Sequence, residues 1–258
     1  MSVITALIDA DLVAYRCAAT CEGEDTSDVA LFRCNDQVER IVDAVSATDY
    51  TLYLSGGENF RKKIDPEYKA HRKDKPRPKW LEACREFLVK EWQAKVTDGI
   101  EADDALGIAQ QEDTFICSLD KDLLQIPGMH YNWVKHEEYY ITEEEGRYNF
   151  WMQTIVGDVA DNVFGIRGLG PIKASKILLP LKEREIDGED MEELYYNTVA
   201  DLYNDVDRFH RNCKLLWIMR KENDVWLTPD ERAAKLIEAS TAPSLKRTSR
   251  KRLKLISS

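Results

Sequence analysis

Residues 2–9, 50–54 and 114–117 are continuous apolar runs of strand length, and acids stand at the exit of two of them: Asp9 closes the first, and Asp120 and Asp122 follow the third. Short apolar runs without alternation read as strands buried on both faces. Between them, Val38, Ile41, Val42 and Val45 recur at helical spacing, as do Leu81, Cys84, Phe87 and Leu88. Strands alternating with helices imply an α/β fold with a mainly parallel central sheet flanked by helices. In such sheets functional groups gather beyond the carboxyl ends of the strands. The stretch 129–141 reads as a hairpin. Beyond it the pattern turns helical, with a glycine turn at 165–170 between two helices and longer helices over 191–206 and 208–221. The expected division is an α/β domain over 1–150 containing a basic segment at 58–80, a helical subdomain over 151–240, and a basic, disordered tail over 241–258.

A chain of 258 residues can bury a core without disulfides or structural zinc. Its six cysteines lack CxxC spacing and its four histidines do not pair at ligand intervals, so a reduced, cytoplasmic setting is expected. Cys17 and Cys21 read as small buried residues on one helical face. The first apolar run is too short to cross a bilayer, so no membrane partner is expected. The net charge of −11 is unevenly placed. Residues 61–79 carry nine Lys/Arg against three acids, a local +6, and residues 245–254 carry six basic residues and no acid, which leaves −23 on the rest. An acidic body with two basic segments can hold metal in one place and phosphate in another.

Four stretches concentrate the acids: Asp9 with Asp11, Glu101-Ala-Asp103-Asp104, Asp120-Lys-Asp122, and Asp158-Val-Ala-Asp161. Glu101 and Asp104 share a face at the start of a helix, where the dipole favours negative charge, and Asp158 and Asp161 repeat that spacing on a later helix. Two bare carboxylates about 4 Å apart repel by about 4 kcal/mol at an effective dielectric near 20, so convergence of these groups requires cations. Ligands that are all oxygen favour Mg²⁺ or Mn²⁺ over zinc. Alone, Glu101-Ala-Asp103-Asp104 reads more readily as a helix cap or solvated charge than as a site, and Asp120-Lys-Asp122 reads as a turn as often as a site.

Taken together, five stretches resemble, in order, the flap endonuclease and 5′-3′ exonuclease family, in particular its bacteriophage members. They are LIDAD at 7–11, NFRKKIDPEYKAHR at 59–72, GIEADDALG at 99–107, SLDKDLLQI at 118–126 and VGDVADNVFGIRGLGPIKA at 156–174. The resemblance implies that Asp9, Glu101, Asp103, Asp104, Asp120, Asp122, Asp158 and Asp161 bind two Mg²⁺ or Mn²⁺ ions directly or through water. It implies a helical arch from the basic segment, in which Lys69 and Arg72 act catalytically on the scissile phosphate, Tyr68 stacks on a base, and Arg61 and Lys62 contact DNA. Pro66, Pro76 and Pro78 argue against one long helix there. The resemblance further implies a helix-hairpin-helix-like (H3TH) subdomain. There Gly165, Gly168 and Gly170, with Lys173 and Lys176, grip duplex phosphates, with K⁺ as a candidate ion at the turn.

The resemblance thus implies a two-metal 5′-3′ exonuclease or flap endonuclease acting on duplex DNA with a 5′ end, nick, gap or flap in DNA replication. An RNA–DNA hybrid is a further candidate substrate, and a monomer is expected. One position departs from the pattern. Family members usually carry an aspartate at the end of the second strand, where this chain has Leu54-Ser55-Gly56-Gly57-Glu58. Glu58 could substitute, or Ser55 could hold a water. A structure-specific DNA-binding protein without catalysis and an acid-cluster ribonuclease are the alternatives.

Overall fold

Each apolar run becomes a strand, and the acids follow at the strand ends. The computed structural model describes residues 3–182 and 190–241, so the basic tail beyond 241 lies outside them. The chain forms two compact units, Met1–Trp226 and Leu227–Ser258. In the first unit the order is β1 (Thr5–Asp9), α1 (Ala10–Ala19), α2 (Asp28–Ala44), β2 (Asp49–Leu54), α3 (Arg61–Ile64), α4 (Leu81–Glu91), β3 (Lys95–Val96), α5 (Ala102–Ala109), β4 (Thr114–Cys117), β5 (Gly128–Asn132), β6 (Glu137–Ile141), α6 (Glu143–Val156), β7 (Gly157–Asp158), β8 (Val163–Phe164), α7 (Pro171–Lys182), α8 (Met191–Ala200) and α9 (Val206–Leu216). The second unit contains α10 (Pro229–Thr241), which opens on reciprocal hydrogen bonds between Thr228 and Glu231. No helix among the described residues is long and apolar enough to cross a membrane.

The sheet runs β3-β2-β1-β4-β5-β6, parallel throughout except for the β5–β6 hairpin. Strand order reverses between β1 and β4, which opens a crevice beyond their carboxyl ends. On one face α1, α2 and α4 bury Val13, Val38, Ile41 and Leu88 against Ile8, Leu52 and Leu54. On the other, Leu106 of α5 packs with Leu7, Ile116 and Ile218. All six cysteines are free and buried, Cys17 and Cys21 among them.

Three local details differ from the expectations. A capping box between Thr142 and Glu145 starts α6, which runs unbroken through the expected division at 150/151. Asp158 and Asp161 lie not on an α-helix but around a three-residue 3-10 turn between β7 and β8, because the Asp158 carboxylate takes the Ala160 N–H at 2.7 Å. The helices expected over 191–206 and 208–221 are shorter. Asp205 caps α9 through the Arg208 N–H, and at its other end the carbonyls of Leu215 and Trp217 accept from the Arg61 guanidinium, where the helix stops at Leu216.

Candidate active site

The crevice gathers carboxylates from chain segments far apart in sequence. Asp9, at the end of β1, caps α1 by accepting the Leu12 N–H at 3.1 Å and takes the Ser118 hydroxyl at 2.7 Å. Ser118, just past β4, accepts in turn the Asp120 N–H at 3.0 Å, and Asp120 accepts the Asp122 N–H at 2.9 Å, folding 121–125 into a 3-10 turn. Glu101 and Asp103 come from the start of α5, and Asp158 and Asp161 from the β7–β8 turn. These seven acids, together with Asp11, line one cavity of about 380 Å³.

Crowding and burial set their proton affinities. Burial pushes the Asp9 carboxyl up to about 7, with the Asp11 charge adding and the Ser118 hydrogen bond opposing. Burial lifts Asp122 to about 8, reinforced by the Asp120 and Asp158 charges. Burial also raises Asp103, helped by Asp9 and Asp120, and it raises Asp120. Burial opposes ionisation of Glu101 too, but the Lys69 and Arg61 charges more than offset it and hold Glu101 below the usual carboxylate range.

Carboxyls of raised affinity hold protons more tightly in the folded chain than in the unfolded chain, where aspartates titrate near about 3.9. Their stabilising contribution is therefore present below about pH 4 and is lost as pH rises through about 7 to 8. In chelator, the midpoint of thermal unfolding is expected to be lower at about pH 8.5 than at about pH 6, and Mg²⁺ is expected to narrow the gap by binding the folded state. Equal midpoints in chelator would show that these carboxyls are not raised.

Among the described residues, no three acids, histidines or cysteines are drawn tightly enough round one point to ligate a single ion as they stand. Repulsion spreads the acids, and cations from the basic segment offset part of their charge. Lys69 Nζ lies 2.7 Å from Glu101 Oε1 and 3.4 Å from Asp161 Oδ2, and Arg72 Nη2 lies 2.6 Å from Asp161 Oδ1. The donor set fits a hard divalent cation: it is all oxygen, it is strongly anionic, and several members hold protons that an ion would displace.

The basic segment takes a different form from the expected helical arch. It contains the four-residue α3 and a five-residue 3-10 turn, Ala70–Asp74, and it lies down on the site through the Lys69 N–H to Asp161 O bond at 2.9 Å and the Asn162 Nδ2 to Glu67 O bond at 2.9 Å. Tyr68 does not stand free for base stacking. It is 4% exposed, and its phenol oxygen sits 2.8 Å from both Glu101 Oε2 and Asp161 Oδ2, with one proton to share between them. Arg61 is not available to DNA either. It is 2% exposed and grips Asp104 through two bonds of 2.6 and 2.8 Å. Asp104, wholly buried, also takes the Met219 N–H, so it faces away from the cavity and serves as the counter-ion of Arg61. Lys62 is exposed, its ammonium donating to the Gly57 carbonyl at 2.6 Å.

The glycine turn stands between β8 and α7, so the β7–β8 hairpin separates it from α6. A Cβ on Gly165 would lie 2.2 Å from the Val156 backbone, and Gly168 has a φ of +83°. Pro171 takes the first position of α7, as expected. Lys173 and Lys176 are exposed, and Lys173 Nζ donates to Gly168 O at 2.9 Å. Gly168 and Gly170 are exposed too.

Arg85 and Lys121 are the two residues at the site that the sequence did not single out. Asp11 lines the cavity, accepts the Ser55 N–H at 2.8 Å and pairs with Arg85 from α4, which also holds Ser55 O at 2.7 Å. Ser55 lines the cavity with its hydroxyl engaged by the Ala102 N–H at 2.9 Å, whereas Glu58 is exposed and outside it. The acid at position 11 of LIDAD was a signal for Asp11, and the lysine inside Asp-Lys-Asp was one for Lys121. No local pattern marks Arg85.

The family model for the 5′-3′ exonuclease N-terminal resolvase-like domain matches residues 5–150. The exonuclease of Escherichia phage T7 is 34% identical over 133 residues, 46% of this chain and 43% of that protein. DNA polymerase I of Rhizobium leguminosarum is 32% identical over 148 residues, 49% of this chain and 14% of that protein. The chain thus spans less than half the length of these relatives. A bacteriophage T5 flap endonuclease solved with DNA and metal ions superposes with a TM-score of 0.59 at 16% identity, over 82% of this chain and 88% of that one. At that identity the likeness is one of fold.

Proposed function

Because the chain belongs to the 5′-3′ exonuclease family by its N-terminal resolvase-like domain, we propose that it hydrolyses DNA phosphodiester bonds near 5′ ends, nicks or flaps with the help of divalent metal ions. The observation that carries this reading is the convergence of Asp9, Glu101, Asp103, Asp120, Asp122, Asp158 and Asp161 on one cavity that Lys69 and Arg72 also line. Two Mg²⁺ or Mn²⁺ ions held by these oxygens would activate a water and stabilise the departing 3′ oxygen. The water oxygen joins phosphorus, the bond to the 3′ oxygen breaks, and the products carry a 5′-phosphate and a 3′-hydroxyl.

The chain's own groups supply position and charge. Lys69 and Arg72 exchange carboxylate partners for phosphate oxygens and stabilise the charge that develops on them. Tyr68 orients Glu101 and Asp161 from below. Asp9 and Asp120 are held by the shared Ser118 hydroxyl, so the acids from β1 and β4 keep a common spacing. The exposed glycine turn with Lys173 and Lys176 supports a second, sequence-independent grip on duplex phosphates.

The test is cleavage of a flap duplex labelled at either end, in Mg²⁺, in Mn²⁺ and in chelator. Short 5′ products in either metal and none in chelator are expected. Binding without cleavage in both metals would favour the inactive DNA-binding reading, which the serine at position 55 and the Arg85–Asp11 pair support. Preferential cleavage of RNA would favour the ribonuclease reading.

A further inference from the structure

Three cations line the carboxylate cavity, and two of them are committed to the protein's own acids: Lys69 to Glu101 and Asp161, and Arg72 to Asp161 and the Ala160 carbonyl. The third, Lys121, is exposed, and its ammonium makes no hydrogen bond or close ion pair among the described residues, acting on Asp122 and Asp158 through its charge alone. It sits between Asp120 and Asp122 on the 3-10 turn after β4, at the place where a second cavity of about 230 Å³ begins. That cavity shares Lys121 and Asp122 with the first, passes Met152, Gln153 and Val156 of α6, and ends at Pro171, the first residue of α7. The two hollows adjoin at Lys121 and Asp122, so together they run from the acids towards the helix that follows the glycine turn. The walls of the second carry the Lys121 ammonium beside the Asp122 carboxylate at the junction, and beyond it side chains of α6 that are apolar or neutral. A polyanion with apolar sugar faces matches such a path, with its phosphate at Lys121 and its sugar along Met152 and Val156.

We infer that the second cavity carries the substrate strand onward from the carboxylate site, and that Lys121 binds the phosphate next to the scissile one. The inference rests on the nuclease reading above and adds to it a path and a residue. Lys121 has no part in bond breaking; it sets which phosphate stands over the acids. A lysine that serves only to offset the charge of Asp120 and Asp122 would act on no one phosphate in particular.

The experiment measures binding of a fluorescent flap duplex to the full chain in Ca²⁺, with cleavage checked to be absent, for the wild type, Lys121→Ala and Lys121→Arg. Lys121→Ala is expected to weaken binding about fivefold for every sequence and to flatten the slope of log affinity against log salt by about 0.9, the value for one lost phosphate contact. Lys121→Arg is expected to keep both. Neutralising single phosphates as methylphosphonates is expected to erase the difference between wild type and Lys121→Ala at one position, adjacent to the cut. Mn²⁺ binding followed by electron paramagnetic resonance is expected to be no weaker in Lys121→Ala, since removal of an ammonium relieves repulsion. An unchanged salt slope, a difference that survives neutralisation at every position, or weakened Mn²⁺ binding would each overturn the inference. Failure of the wild type to cleave DNA in Mg²⁺ or Mn²⁺ would instead overturn the nuclease reading, and the two failures are read from separate assays.

Discussion

Asp120→Asn is expected to lower single-turnover cleavage of a labelled flap duplex by about 10²–10³-fold, the range seen when one charge-stabilising group is lost from a reaction centre. This position is the cleanest probe of the carboxylate cavity. Asp120 lines it, and its one structural task is to accept the Asp122 N–H at 2.9 Å, which an asparagine oxygen also does. Asp9 is a poorer probe because it caps α1 and anchors Ser118 at the same time. The variant should therefore unfold at nearly the wild-type temperature while binding Mn²⁺ more weakly. A cleavage rate within about threefold of wild type would remove Asp120 from the reaction centre, because that change is far below the range for a lost charge-stabilising group.

The second large effect concerns stability. Arg61→Met is expected to destabilise the chain by about 3–5 kcal/mol, the range for removing one partner of a buried ion pair, against a total of about 5–15 kcal/mol for a folded domain. The pair is buried on both sides, with side-chain exposures of 3% and 0%. The guanidinium also satisfies the carbonyls of Leu215 and Trp217, so the methionine leaves a buried carboxylate with two backbone N–H donors but no counter-ion, and takes a donor from two backbone acceptors. Urea unfolding monitored by tryptophan fluorescence measures the loss. A change under about 1 kcal/mol would mean that Asp104 becomes protonated or finds another donor, and would reopen its assignment as a structural counter-ion.

Much of the site was legible because it sits where simple rules place it. An acid that closes an apolar strand in a parallel sheet has few places to go but the crevice at the strand end, and Asp9, Asp120 and Asp122 follow that rule. Asp103 and Asp104 show where legibility stopped. Neighbouring residues on a helix point about 100° apart, so one of the two must face away from the cavity, and local sequence treats them alike. The choice falls to the arginine that meets Asp104 from α3. The same holds for Arg61 beside Lys62, one buried and one exposed, and for Tyr68, whose aromatic ring suited stacking but whose hydroxyl is held by two carboxylates. The basic segment lies on the site here because a segment rich in lysine and arginine has an alternative to standing free over the site: it can neutralise the acids there.

By itself the sequence determined the alternation of strands and helices, the parallel sheet, the stretches that supply the carboxylates, and the family, because each depends on periodicity, turn chemistry or ordered motifs read over a few residues. Only the tertiary structure decided which acid of each stretch faces the cavity, that Asp11 and Ser55 line it with Arg85 holding both, that Arg61 and Asp104 are buried in the core, and that the Lys121 ammonium makes no close ion pair among the described residues. Those outcomes depend on partners such as Arg61 and Leu215, 154 positions apart. Pairings over such distances are set by how helices pack on the sheet, and no local pattern of residues encodes that packing.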